Sequence, residues 1–595
     1  MTTLCLRLTA FALGLGGRIG RVRFTSSVAA AAVLLCLPAL WVGLQLDDHY
    51  HRWILEGCPG LPGLTLPRLD LFHLTSDGAR TSKLIEIGVL PWWTDPELRL
   101  AGFRPVAALT HLLDNVAWGE RPVLMHLHSL LWLGLLVAVV ARLYRRFLAG
   151  AAATAGLAAI LYGLDDAHGF VAGWVANRNA LIGACLGAAA LIAHDRWRRG
   201  HRAAGALSPL LVGLALMACE AAVGVLAYFA AYAAVLEGGP VWRRVRSLVP
   251  VGLVAVLWWV GYRVAGYGAW GTDFYVDPSR DPLGFLDALV RRAPVLLAAQ
   301  WTLIPADLHV LLAIRWRVLH SVVALLCLAP LAAAVLSLLR SDRTARFFAA
   351  GMVGALVPAV ATIPMDRLLL FVGIGAMGLA AQLIAGLAEA ARRERGSLVR
   401  RTVFCLLVIT HVVLAPLLLP LRAASPRALA LVGAGIDSAP VDANITGQDL
   451  VVVRAPDPFA AGLVPIVRGT LGQPQPRRLR LLASTREDLE LRRTDARTLV
   501  VRGGGGVTWH DVIFVRNDAR PLRVGDRIEI PGLVATVTEA DDNGHIIAAS
   551  FLFPGPLEDP TLRWVVWQDG ALVPFRPPGV GETVLLPAPG LGAGR

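Results

Sequence analysis

Two adjacent carboxylates, Asp47 and Asp48, come directly after a long apolar run and are followed by His49 and Tyr50. Acids at the water end of a membrane helix are costly to desolvate, and their plain reading is a marker of the interface. More candidates follow at intervals. Asp95 and Glu97 lie after Trp92-Trp93-Thr94, Arg104 lies in Phe103-Arg104-Pro105, and His126 and His128 flank Leu127. Next come Asp165, Asp166 and His168, then Arg178 in Trp174-Val175-Ala176-Asn177-Arg178, Glu220 after Cys219, and Asp366-Arg367. A carboxylate beside low-dielectric lipid has its pKa raised toward the range of a general base. Arginine stays charged, and its planar fork grips phosphate in a bidentate manner. These types suit general-base chemistry beside cations that can hold an anionic group.

Each candidate also has a plainer role. Arg104 suits an interface anchor, Arg178 a structural pair with Asp165 or Asp166, and Arg367 a local pair with Asp366. His126 and His128 suit polar helix ends. Asp165, Asp166 and His168 have the types for a metal site, and loop polarity explains them as well. A divalent metal is compatible with this set, but no cofactor is specified by it.

The elements that position these residues are membrane helices. The chain has 595 residues, 56% of them hydrophobic, and a mean hydropathy of +0.59. The apolar residues fall into runs of the length that a hydrocarbon core of roughly 30 Å requires, without barrel alternation. About eleven spans are read, at 25–46, 124–143, 148–164, 170–193, 203–219, 221–237, 247–264, 318–339, 347–363, 369–390 and 402–420. The apolar start of the chain is followed, not preceded, by Arg18, Arg21 and Arg23, which favours a cytoplasmic or interfacial helix over a signal segment. Arginine clusters recur between alternate spans: Arg142/Arg145/Arg146, Arg196/Arg198/Arg199/Arg202, Arg243/Arg244/Arg246, Arg340/Arg343/Arg346 and Arg392/Arg393/Arg395/Arg400/Arg401. The intervening short loops carry only Arg367. The positive-inside rule makes the clustered side cytoplasmic. The net charge of +13 then reflects topology, not a nucleic-acid stripe, and no nucleic-acid partner is expected. Seven Cys supply no CxxC, and only Cys58 lies in an outer loop, so no outer disulfide is expected.

The expected organisation is a cytoplasmic segment at 1–24, a transmembrane domain at 25–422 with outer loops 47–122 and 265–316, and an outer β-rich domain at 423–595. The second loop contains an amphipathic stretch, Leu283 to Leu303, whose Arg291 and Arg292 suit lipid headgroups. Past 423, short β-prone runs appear at Leu450–Val453, Arg478–Leu482, Leu499–Arg502, Val512–Val515, Arg527–Ile530, Val534–Val537, Ile546–Phe551 and Trp564–Trp567. Turns such as Gly503–Gly506 and Asp541–Gly544 punctuate them.

The order of motifs resembles the GT-C superfamily of polyprenyl-phosphate-sugar-dependent glycosyltransferases, and within it the transmembrane O-mannosyltransferases with tetratricopeptide repeats and their bacterial relatives. Asp47-Asp48 matches that family's acidic pair after the first span, and Asp95 or Glu97 its later acid. Phe103-Arg104-Pro105-Val106 matches its Tyr-Arg-Pro-Leu element, and His126 its histidine entering the second span. Trp174-Val175-Ala176-Asn177-Arg178 matches its Trp-x-x-Gly-Arg element, and Cys219-Glu220 its Lys-Glu turn. The resemblance spans about 25–240 and continues as topology to about 420. Ser129 stands in place of Asn, Asn177 in place of Gly and Cys219 in place of Lys, and the repeats are absent.

The resemblance implies an inverting membrane glycosyltransferase with Asp47 or Asp48 as base. Arg104, His126, Arg178, Glu220 and Arg367 would then contact donor phosphate or substrate. It implies a polyprenyl-phosphate-linked sugar and membrane lipid as partners, a protein, lipid or glycan acceptor, and a bacterial inner membrane location with a periplasmic C-terminal domain. Two rival classes are a transporter or flippase of lipid-linked or small substrates, and a non-catalytic scaffold with a β binding domain. The charges gather at span ends instead of mid-span, which favours surface chemistry over transport.

Overall fold

A computed structural model describes residues 1–17, 22–59, 66–302, 304–312, 314–393, 397–429, 438–439, 442–504, 514–517, 519–542 and 545–588. Arg18, Arg21, Arg395 and Leu303, the second half of the Gly503–Gly506 turn, the start of the Val512–Val515 run and the end of the Asp541–Gly544 turn lie outside the described residues. The chain forms two compact units. The first comprises 1–43, 103–265 and 277–426, and the second 44–102, 266–276 and 427–595. The last division between the two units lies at 426/427. The segment 44–102, expected to be a loop of the transmembrane domain, groups with the C-terminal residues instead.

The first unit is helical. Long Leu-, Ala- and Val-rich runs satisfy their own backbone groups as helix, the form that apolar surroundings demand. Among the described residues, six helices are long and apolar enough to cross a membrane: Pro122–Phe147, Val175–Arg198, Val241–Val264, Trp316–Ser341, Leu370–Arg392 and Leu398–Leu429. The protein is an integral membrane protein. Shorter apolar helices, Thr25–Trp41, Ala152–Gly163, Ala203–Leu216 and Glu220–Leu236, fall on four more of the expected spans, and Arg343–Ala359 on another. The apolar start forms the helix Thr2–Gly17.

Leu370–Arg392 is the core helix, with 78% of its apolar window buried, whereas Val241–Val264 and Trp316–Ser341 bury only 11%. Three tyrosines fix the start of that core helix. Tyr144 donates to the Ile374 carbonyl at 2.7 Å, Tyr162 to Leu370 at 3.1 Å and Tyr228 to Phe371 at 2.6 Å. Each hydroxyl is buried and so needs an acceptor. Gly169 and Gly173, on the short helix Ala167–Gly173, let the backbone of Ala415–Ala424 come close. A side chain at Gly173 would strike the Ala423 carbonyl, the small-residue logic of membrane helix pairs.

The second unit is rich in strands, as its composition predicts. Asp449–Ala455 is buried along its whole length, as befits a central strand. It pairs in parallel with Arg478–Ser484 and with Leu562–Gln568. Ala571–Pro574 closes this four-stranded sheet. The parallel pair requires a crossover, which the helix Pro458–Thr470 provides. A six-stranded antiparallel sheet runs in the order Thr583–Leu586, Leu489–Arg493, Thr498–Gly503, Ile546–Leu552, Leu533–Ala540, Arg527–Ile530. Thr498–Gly503 shows period-2 burial with Leu499 and Val501 inward. A three-stranded sheet joins His73–Thr75, Arg99–Ala101 and Gly268–Trp270. Trp92 donates to Leu482 O at 3.2 Å and meets Phe551 edge-on at 5.6 Å.

Candidate functional site

In the second unit, Asp47 and Asp48 open the helix Asp47–Leu55, where negative charge is favourable. Asp47 is exposed and Asp48 buried. The Asp48 carboxylate accepts from Gln45 N at 2.9 Å while Asp48 N donates to Gln45 O at 2.8 Å. That reciprocal pair fixes the helix start and gives Asp48 a structural task. Leu46, just before it, has a φ of +38°, a conformation that costs a non-glycine residue roughly 1–3 kcal/mol.

Asp95 is fully buried. Its carboxylate accepts from Glu97 N at 2.8 Å and pairs with Arg520 at 3.4 Å. Arg520 also grips Glu97 at 2.7 Å. Arg516 donates to Trp93 O at 2.7 Å and to Thr94 O at 3.2 Å. The Trp-Trp-Thr-Asp segment is thus held by arginines from the C-terminal part, a partnership that sequence alone did not suggest.

In the first unit, Arg104 and Glu220 meet. Arg104 Nε donates to Glu220 Oε2 at 2.6 Å, across 116 residues of sequence. Arg104 sits just before the helix Pro105–Trp118, and Val106 N reaches Met217 O at 3.1 Å. That link brings the start of one helix to the 217–220 turn. Both side chains are about a quarter exposed, and Glu220 Oε1 is buried without a hydrogen-bond partner.

Arg178 has no exposure. It pairs with Asp114 at 2.5 Å, donates to Ser129 Oγ at 3.0 Å and donates to Met125 O at 2.7 Å. Its carboxylate partner is therefore Asp114, not Asp165 or Asp166. Asp114 in turn bonds His128 Nδ1 at 2.6 Å and accepts from Trp118 Nε1 at 2.9 Å. Burial pushes the Asp114 carboxyl up, but these hydrogen bonds and the Arg178 and His128 charges outweigh it and hold the group below the usual carboxylate range. Sequence reading passed over Asp114, although it is the one acid in a helix whose other polar residues are Thr110, His111 and Asn115. His126 is buried and bonds Gly43 O at 2.9 Å, so it ties two segments together.

Arg367 is half-buried. Its guanidinium lies 5.4 Å from the Trp174 ring centre and donates to Asn177 Oδ1 at 3.4 Å, while its Nε is buried without a partner. Trp174 and Asn177 belong to the same motif as Arg178 and bracket the turn Val175–Asn177. Arg367 does not pair with Asp366, which instead meets Arg422. Asp165 accepts from Gln300 Nε2 at 2.8 Å and Asp166 faces Arg422 at 3.5 Å. Burial pushes Asp165 and Asp166 up to about 6. Among the described residues no group of three His, Cys, Asp or Glu side chains gathers to hold a metal.

The structure brings Arg104 to Glu220, and Arg367 to the Trp174–Asn177 turn. It commits Arg178 and His126 to internal partners. Chemically, the helical unit offers one partly exposed ion pair and one cation on an aromatic face with donor capacity unused. No family model and no characterised protein matches the sequence. Among solved structures, the chain is similar to ArnT from Cupriavidus metallidurans bound to undecaprenyl phosphate, with a TM-score of 0.38, 14% identity, and coverage of 76% of this chain and 89% of that one. It is likewise similar to ArnT from the same organism in the apo state, with a TM-score of 0.37, 14% identity, and coverage of 75% and 84%.

Proposed function

We propose that this protein moves a sugar from a polyprenyl-phosphate donor to an acceptor hydroxyl at the extracytoplasmic face of a bacterial inner membrane. The observation that carries this reading is the Arg104–Glu220 pair at 2.6 Å. Two elements of the family-like pattern, far apart in sequence, meet at one place. Arg104 also brings a cation to the turn where Cys219 replaces the family's lysine. The motif order through residues 25–240 supports the same reading.

By the family resemblance, Asp47, exposed at a helix start of the second unit, is assigned the role of base, and Asp48 anchors that helix start. The acceptor oxygen loses its proton to Asp47 and forms a bond to the anomeric carbon. The bond from that carbon to the phosphate oxygen breaks, and its electron pair leaves with the phosphate. Attack opposite the leaving group inverts the configuration. Arg367 and Arg104 would stabilise the departing phosphate; bidentate arginine contacts suit that charge. Arg178 keeps the Trp174–Asn177 turn in place and does not touch donor. Trp174 and Arg367 form the face that meets the donor headgroup.

The test uses membranes carrying the full chain, a panel of polyprenyl-phosphate sugars, and the release of polyprenyl phosphate. Asp47→Asn is expected to abolish release. Arg367→Ala is expected to raise the donor KM roughly ten- to a hundredfold, the range of one lost hydrogen bond to a charged group. Full turnover in Asp47→Asn would sink the assignment of the base. Failure to consume any lipid-linked sugar would sink the transferase.

A further inference from the structure

One cation of the helical unit faces three acids. Arg422, from the helix Ala415–Ala424, donates through Nη1 to Asp307 Oδ2 at 2.8 Å, through Nη2 to Asp366, and lies 3.5 Å through Nε from Asp166 Oδ2. The acids come from three separate connections between helices. They also bind each other's backbone. Asp366 N donates to Asp307 Oδ1 at 3.2 Å and Ala306 N donates to Asp366 Oδ1 at 2.7 Å. Arg367 is the next residue in the chain, so whatever fixes Asp366 sets where the Arg367 side chain starts.

We infer that Arg422 is a positioning residue that ties the segments of Asp166, Asp307 and Asp366 together and thereby holds Arg367 against Trp174. The inference rests on the proposed donor role of Arg367 only for its consequence in binding; the clamp itself stands on the contacts. A lysine does not replace the fork, because its donors share one nitrogen whereas Nε, Nη1 and Nη2 of Arg422 each face a different carboxylate.

The charge balance makes the clamp respond to pH. Burial, then the neighbouring Asp307 and to a lesser degree Asp166, push Asp366 up to about 8 against the pull of Arg422 and the Ala306 amide. Other titratable groups lie on the elements packed against the 366–368 turn, and the Nδ1 of His168 is buried without a hydrogen-bond partner. His168 lies edge-on to Tyr162 at 4.6 Å. In Pro282–Trp301, Asp287 pairs with Arg291 at 2.7 Å and Arg292 donates to Val360 O at 3.1 Å. In Leu370–Arg392, Glu389 pairs with Arg393. The folded chain keeps a proton on Asp366 that the unfolded chain loses above about 4, the ordinary carboxylate value. The stability it contributes is full below that pH and drains away as the pH rises through about 8. Once ionised, Asp366 adds a third negative charge around one guanidinium, and the clamp loosens.

The experiment is hydrogen–deuterium exchange on the full chain in lipid nanodiscs, with rates at 364–369 corrected for intrinsic pH dependence. Undecaprenyl phosphate binding is measured alongside. Wild type is expected to exchange several-fold faster at 364–369 at pH 9 than at pH 6, and Asp366→Asn to flatten that profile. Arg422→Ala is expected to loosen 364–369 and weaken lipid binding as Arg367→Ala does. If Arg422→Ala does not fold, Arg422→Lys, which keeps the charge, is expected to loosen the same segment. A wild-type exchange rate at 364–369 in the folded Arg422 variant overturns the inference. Loosening without loss of lipid binding, in a background where Arg367→Ala also binds normally, supports the clamp and overturns the donor role of Arg367 instead.

Discussion

Arg178 is a cation with no exposure, and its cost is met by Asp114, Ser129 and the Met125 carbonyl. Removing one member of a buried pair leaves an uncompensated charge and costs about 3–5 kcal/mol, whereas removing both for apolar groups is often neutral. Arg178→Met and Asp114→Leu are each expected to lower the melting temperature strongly in detergent, and the double variant to recover much of the loss. Additive losses would show that the two residues act independently. The contrast with Arg367 is physical: Arg178 has spent its donors on the protein, while Arg367 keeps a buried Nε unspent. A buried donor without an acceptor is expensive, which favours an anion at that position.

Helix contacts decide whether such residues stay in register. Gly169 and Gly173 lie one turn apart on Ala167–Gly173, and a Cβ at either would strike the backbone of Ala415–Ala424. Overpacking of this kind typically costs 1–3 kcal/mol, taken as about that size here. Gly173→Ala is expected to destabilise the chain and to displace the helix that carries Arg422, so exchange at 364–369 should rise with it. Gly386→Ala, where a Cβ meets open space, serves as the control and should leave both unchanged. Equal melting temperatures for Gly173→Ala and wild type would show that the helix pair has room to spare. In the strand-rich unit, the composition predicted strands but not the helix Pro458–Thr470 or the strands Leu489–Arg493, Ala571–Pro574 and Thr583–Leu586. Short strands and an apolar crossover helix share a hydrophobic signature over so few residues.

At the scale of the molecule, Val241–Val264 and Trp316–Ser341 are the two long apolar helices with the least buried surface among the described residues. Large apolar residues such as Leu253, Val256, Leu257, Leu325 and Leu326 are exposed there. Hydrocarbon is the medium that such a surface fits. The arginine distribution proposes an inner N-terminus and an outer C-terminal unit. A reporter that is active only outside the cytoplasm, fused after residue 595, should be active, and one fused ahead of residue 1 should be silent. The reverse pattern would remove the C-terminal unit and Asp47 from the face where an extracytoplasmic donor reaction occurs.

The sequence by itself determined where helices form, because run length and hydropathy are local properties of the chain. The expected spans fall on helices. It also supplied the residue types, with Asp47, Arg104, Glu220 and Arg367 legible as chemistry at helix ends. Only the tertiary structure decided who meets whom. Arg104 found Glu220 across 116 residues, Arg178 chose Asp114 over nearer acids, and Arg422 gathered Asp166, Asp307 and Asp366. No periodicity encodes those pairings. They arise where separate helix ends converge, and there the cost of burying a charge selects whichever opposite charge the packing has brought within reach.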